Sequence, residues 1–230
     1  MSETATPEDR LIDAALIHVA FDGWSDATLR AAARDAGVDL SEARALFPRG
    51  GVDMALAFHR RGDAEMERRL RREPLDDLKV REKIIRAVRT RIEAIEDKEA
   101  ARRATSLFAL PQHAAAGSRA IWDTADLIWT VLGDPSDDIN WYTKRATLSG
   151  VYGSTVLYWL GDESLENQAT WSFLERRIED VMRFEKAKAS VNANPVMRTL
   201  LAGPNWALSR VRPPRRMPKV DMPGSWNSES

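Results

Sequence analysis

Asp26-Ala-Thr-Leu-Arg-Ala-Ala-Ala-Arg-Asp-Ala-Gly37 is an alanine-rich run closed by a glycine, and its neighbours on both sides turn it into a recognisable unit. Alanine is the strongest helix former, and a glycine just past the last turn is the commonest helix stop. Upstream, Pro7 to Phe21 carries Leu11, Ile12, Ala15, Leu16 and Val19 at helical spacing, with Thr6 as N-cap, Pro7 at the first helical position and an end near Gly23. Downstream, Leu40 to Phe47 reads as a third short helix stopped by Pro48. Three short helices with a glycine turn between the second and third have the layout of a helix-turn-helix unit.

Further along the chain the helices lengthen. Asp53 to Glu73 reads as helix up to Pro74. Leu78, Ile85, Val88, Ile92 and Ile95 then form a seam spaced by threes and fours on an otherwise charged helix. Helices around Arg102 to Leu110, Ser118 to Leu132, Asn140 to Leu160 and Leu165 to Phe184 follow, separated by Pro111, Gly133-Asp134-Pro135 and Gly161-Asp162. No stretch alternates convincingly enough for a strand, so the chain is expected to be all-α. The predicted organisation is a tail over 1–7, the helix-turn-helix-like unit over 8–60, a larger helical body over 61–185, a basic amphipathic helix over 186–212 and a disordered tail over 213–230.

At 230 residues and 43% hydrophobic residues, the chain can bury one sizeable core. A formal net charge of -1 offers no global field to recruit nucleic acid or an anionic membrane, so electrostatic targeting must be local. Without cysteine there is no disulfide framework and no thiolate chemistry. Met1 to Arg10 holds Glu3, Glu8 and Asp9 and no apolar run, which fits neither a signal peptide nor a transit peptide; a cytoplasmic location is expected. Val151 to Leu160 is apolar but far shorter than the roughly 20 residues of a membrane span.

Candidate chemistry narrows quickly. His18, His59 and His113 lie far apart and lack the carboxylate spacing of a helical di-iron site, so no metal is expected. There is no G-x-S-x-G and no phosphate-cradling loop, so no catalytic residue is assigned. The helix-turn-helix unit invites a DNA-binding reading, but residues 1–60 hold ten acids against six arginines. Phosphate contacts normally supply much of DNA affinity, so nucleic-acid binding is not expected.

Most of the aromatic surface falls between Phe108 and Phe184, including Trp122, Trp129, Tyr152, Trp159, Trp171 and Phe173. By spacing alone these suit a packed bundle core at least as well as a ligand site. Trp141 and Tyr142 are adjacent, so on a helix they point about 100° apart and one of them is expected to be exposed, beside polar Asn140, Thr143, Lys144 and Arg145. That composition suits an interface hot spot. Residues 183–230 carry nine Lys or Arg against three acids. Within them Met197, Leu200, Leu201, Leu208 and Val211 form an apolar stripe with Trp206, Arg198, Arg210 and Arg212 beside it, suiting either a membrane interface or a helix docked on protein.

Phe21-Asp-Gly-Trp24, the helix ending at Gly37 and Leu46-Phe-Pro48 resemble the DNA-binding end of TetR regulators. Beyond them, Ala109-Leu-Pro-Gln-His113, Trp122-Asp-Thr-Ala-Asp-Leu-Ile-Trp129, Gly133-Asp134, Asn140-Trp-Tyr-Thr-Lys-Arg145 and Trp171-Ser-Phe-Leu-Glu-Arg-Arg177 resemble a narrower TetR-like family, the accessory lipid-binding proteins of ubiquinone biosynthesis. The resemblance runs from about Glu8 to Val211. It implies a TetR-like homodimer that is not an enzyme, needs no cofactor, and binds an isoprenoid lipid or ubiquinone intermediate among the aromatic residues above. It further implies that the protein lies on the inner membrane of a bacterium, or on the matrix side if mitochondrial, and presents its ligand to the demethoxyubiquinone hydroxylase. Trp141 and Tyr142 would meet that partner, and Met197, Leu200, Leu201, Trp206, Leu208, Arg210 and Arg212 would meet the membrane. The rival readings are a TetR-type regulator with a hydrophobic effector and an oxygenase in its own right, the latter disfavoured by the missing ligand spacing.

Overall fold

The computed structural model describes residues 5–193. Among the described residues the chain forms nine α-helices and no strand: α1 (Pro7–Asp22), α2 (Asp26–Asp35), α3 (Leu40–Leu46), α4 (Gly51–Leu70), α5 (Val80–Glu93), α6 (Lys98–Phe108), α7 (Ala114–Val131), α8 (Ile139–Leu160) and α9 (Gln168–Ala193). A short 3-10 turn, Leu165–Asn167, precedes α9. The all-α expectation holds, and the expected breaks fall close to the observed loops.

Helix starts follow from local chemistry. Thr6 caps α1: its hydroxyl accepts from the Asp9 amide at 3.1 Å while the Asp9 carboxylate accepts from the Thr6 amide at 3.3 Å. Ser25, Asp39, Asp97 and Asp138 cap α2, α3, α6 and α8 in the same manner, each accepting a backbone N–H with its side-chain oxygen. At the α7–α8 corner Gly133 adopts φ +74, a conformation costly for other residues.

Two expected boundaries do not coincide with breaks in structure. The limit near residue 60 falls inside α4, which begins in the helix-turn-helix-like unit and ends in the body. The limit near residue 185 falls inside α9, whose backbone stays helical to Ala193. The first limit marks the end of the helix-turn-helix-like pattern and the second a change of composition, and helical hydrogen bonding runs through both. The expected amphipathic helix beyond 193 and the tail over 213–230 lie outside the described residues, as do Met197, Leu200, Leu201, Trp206, Leu208, Arg210 and Arg212.

One core runs through both parts. Leu11, Ile12, Val19, Leu29, Ala32 and Phe47 fill the first unit, and Met66, Val88, Ile92, Ile128, Leu148, Tyr152 and Leu174 continue it into the body. Trp24 bridges the two: its indole N–H donates to the Ala100 carbonyl at 2.9 Å and its ring lies 5.5 Å from that of Phe58.

Candidate functional site

A cavity of about 310 Å3 lies among α4, α5, α6, α7 and α8. Its apolar wall is built from Phe58 of α4, Ala101, Ala104 and Phe108 of α6, Gly117 and Ile121 of α7, and Val156 and Leu157 of α8. Helix axes pack 8–10 Å apart according to the side chains between them, so alanine and glycine facing one another leave space that larger residues would fill. Leu157 lines the cavity and is also 62% exposed, which marks the mouth.

The opposite wall is polar. His59, Arg91 and Tyr152 line it, backed by Asp63 and Thr124. Arg91 is 2% exposed; its Nε donates to Asp63 Oδ1 at 2.6 Å and its Nη2 donates to the His59 carbonyl at 2.9 Å. The Thr124 hydroxyl donates to the same Asp63 oxygen at 2.8 Å, and His59 Nε2 lies 2.8 Å from the Thr124 oxygen. A carboxylate only accepts, so the Thr124 proton belongs to Asp63 and its oxygen accepts from His59 Nε2–H. Burial, then the adjacent Arg91 charge, pulls His59 down to about 4, leaving it neutral at neutral pH. Burial pushes Tyr152 up to about 12.

Of the six aromatic residues expected to bind lipid, Tyr152 lines this cavity and the other five do not. Trp122 packs against Trp141 with ring centroids 6.1 Å apart. The Trp129 indole donates to the Lys144 carbonyl at 3.2 Å. Trp159 is buried with the Lys98 ammonium 5.1 Å from its ring. Trp171 donates to the Glu166 carbonyl at 2.9 Å beneath the Arg89 guanidinium, and Phe173 stacks on Tyr158 at 4.5 Å. Each of the five is occupied in packing against another ring, a cation or a backbone carbonyl. The lining residues that sequence reasoning missed sit on all five helices around the cavity, among them Phe58 and His59 of α4, Arg91 of α5, Ala101 and Ala104 of α6, Ile121 of α7 and Val156 of α8. The signals for those on α4 and α6 were the small residues Ala101 and Ala104 and the His59/Asp63 pair one helical turn apart.

A second feature occupies the α7–α8 corner. Arg145, 2% exposed, pairs through Nε with Asp126 at 2.5 Å and through Nη1 with Asp134 at 3.1 Å. Lys144 reaches the other Asp134 oxygen at 2.7 Å. Hydrogen bonds from Lys144, Ser136 and Arg145 outweigh burial and hold the Asp134 carboxyl below its ordinary range. This charged frame supports Trp141, whose ring lies 4.0 Å from the Arg145 guanidinium and meets Tyr142 edge-on at 4.8 Å. Both aromatics are half-buried, which differs from the expectation that one would be exposed: the two rings turn toward each other and share the surface. Among the described residues no group of histidines and acids could hold a metal, and no helix is long and apolar enough to cross a membrane.

A family model described as COQ9 matches residues 114–185, which covers α7, the corner, α8 and most of α9. The chain is 30% identical over 207 residues to the mitochondrial ubiquinone biosynthesis protein COQ9 of Drosophila melanogaster, covering 80% of this chain and 61% of that one. It is 33% identical over 183 residues to the protein of that name from Bos taurus, covering 76% and 57% respectively. The chain thus spans about three fifths of the length of these curated relatives. Among solved structures, it superposes on a TetR transcriptional regulator from Nitrosomonas europaea with a TM-score of 0.61 at 20% identity, covering 75% of this chain and 95% of that one. That likeness is one of fold.

Proposed function

The chain belongs to the TetR-like COQ9 family, and we propose that it serves ubiquinone biosynthesis as a non-catalytic carrier of an isoprenoid lipid. The observation that carries this reading is the cavity of about 310 Å3, whose apolar wall runs from Phe58 to Leu157 at the mouth and which is at the small end of the roughly 300–1,000 Å3 typical of ligand pockets. An isoprenoid tail has no polar groups to satisfy and is held by area burial alone. On this reading the Trp141–Tyr142 surface is where the demethoxyubiquinone hydroxylase docks, since paired half-buried aromatics on a rigid charged frame are the ingredients of a hot spot. Exposed Tyr158, Met182 and Phe184 on α8 and α9 support a homodimer. The basic segment after Ala193 would hold the dimer peripherally on the inner membrane.

Native mass spectrometry with lipid extraction tests the central claim. The protein is expected to carry a polyprenyl lipid and to shift no DNA duplex at low salt. A lipid-free protein that also refuses added ubiquinone intermediates ends the carrier reading. Salt-sensitive duplex binding at nanomolar protein favours a regulator instead.

A further inference from the structure

The two oxygens of the Asp63 carboxylate have different surroundings. Oδ1 accepts from Arg91 Nε at 2.6 Å and from the Thr124 hydroxyl at 2.8 Å. Oδ2 accepts no hydrogen bond among the described residues, and His59 Nε2 stands 3.6 Å from it, beyond bonding reach. Asp63 is nine-tenths buried, where a carboxylate oxygen without a donor is costly. A second cavity, of about 260 Å3, lies between α4 and α7 and is lined by Asp63, which does not line the first. His59 and Ala120 line both and so form the wall between them.

Three arginines line the same second cavity: Arg49 just ahead of α4, Arg60 on α4 and Arg119 on α7. They pair with Asp53, with Glu8 at 3.2 Å and with Asp123 at 2.9 Å. Exposed pairs of this kind are weak and readily exchanged, which leaves guanidinium donors for a ligand. Helical rise sets Arg60 about 4.5 Å from Asp63 along the axis of α4, a separation that suits an ammonium and an anion joined by a short link. Taken with their ion-pair partners, the lining groups balance: guanidinium groups at Arg49, Arg60, Arg91 and Arg119 meet carboxylates at Glu8, Asp53, Asp63 and Asp123. A lone cation or a lone anion would add an unmatched charge, whereas a zwitterion adds none. We infer that this cavity binds a small zwitterion, whose ammonium donates to Asp63 Oδ2 while its anionic group lies between Arg60 and Arg119. That chemistry belongs equally to a soluble aminoalkyl phosphate and to the ethanolamine headgroup of a phospholipid. The site does not depend on what the first cavity carries.

Isothermal titration calorimetry on the full chain uses four probes: glycerophosphoethanolamine, ethanolamine, glycerol phosphate, and monomeric dihexanoyl phosphatidylethanolamine. The first is expected to bind about tenfold more tightly, or better, than the second and third, each of which keeps one of its two charges. Arg60→Gln and Arg119→Gln, both at the exposed rim, should each weaken it by about tenfold and leave the melting temperature unchanged. Asp63→Asn should remove the preference for an ammonium; should that variant fail to fold because Arg91 loses its partner, the two arginine variants decide. Binding of the phospholipid that is tighter than that of its free headgroup, and is weakened by Arg119→Gln, assigns the site to a membrane lipid. Any other result with that probe assigns it to a soluble compound, and the zwitterion site stands in both cases. Equal affinity for the zwitterion and either of its halves, or a preference that survives both arginine variants, overturns the proposal. So does binding of none of the probes, which would leave Oδ2 to water alone.

Discussion

His59 shows how one buried side chain writes a pH dependence into the fold. Its folded value of about 4 lies below the ordinary histidine value of about 6.5, so between these limits the unfolded chain binds a proton that the folded one refuses. The contribution of His59 to stability should therefore be full above pH 6.5, fall by about 3 kcal/mol as pH drops toward 4, and level off below it. Denaturant midpoints across that range check the slope, and His59→Gln should flatten it; a slope unchanged in the variant would assign it to other groups. The same residue illustrates why the cavity was only partly legible in the sequence. A histidine and an aspartate one turn apart are visible as letters, but Arg91 and Thr124 arrive from distant helices, and their meeting depends on how α4, α5 and α7 cross.

At the level of helices, starts were readable in part: Thr6 marks α1 within three residues, whereas α6, capped by Asp97, begins four residues ahead of the expected Arg102. The tryptophans were not, because an indole packs equally well under a cation, against another ring or around a ligand, and periodicity does not choose among these. The α7–α8 corner makes two separable predictions. Trp141→Lys or Tyr142→Ala should weaken hydroxylase binding by about 2 kcal/mol or more, roughly thirtyfold, with little change in melting temperature. Arg145→Met should instead cost on the order of 3 kcal/mol of stability, because it removes the buried cation that Asp126 and Asp134 share. Calorimetry beside a pull-down assay separates them: a melting loss from Trp141→Lys as large as that from Arg145→Met would make the ring a core residue.

For the molecule as a whole, the continuous α9 relocates the truncation that isolates the basic end: the cut belongs after Ala193, where the described helix stops. Removing 194–230 should leave a folded protein that no longer floats with anionic vesicles. The intact chain should bind them less tightly, but still measurably, as salt rises, since each Lys or Arg contributes about 1 kcal/mol and apolar burial is unscreened. Flotation of the truncated form equal to that of the full chain would move the membrane contact elsewhere. The Trp24 bridge has a further consequence. With its N–H on the Ala100 carbonyl and its ring on Phe58, a cavity-wall residue, the first three helices and the body cannot melt independently. Heating should give a single calorimetric peak whose van't Hoff and measured enthalpies agree, and a lipid that fills the cavity should slow proteolysis of α1 as much as of α8. With the first three helices tied to the cavity wall through Trp24, ligand occupancy would register as resistance to unfolding and not as a change of pose.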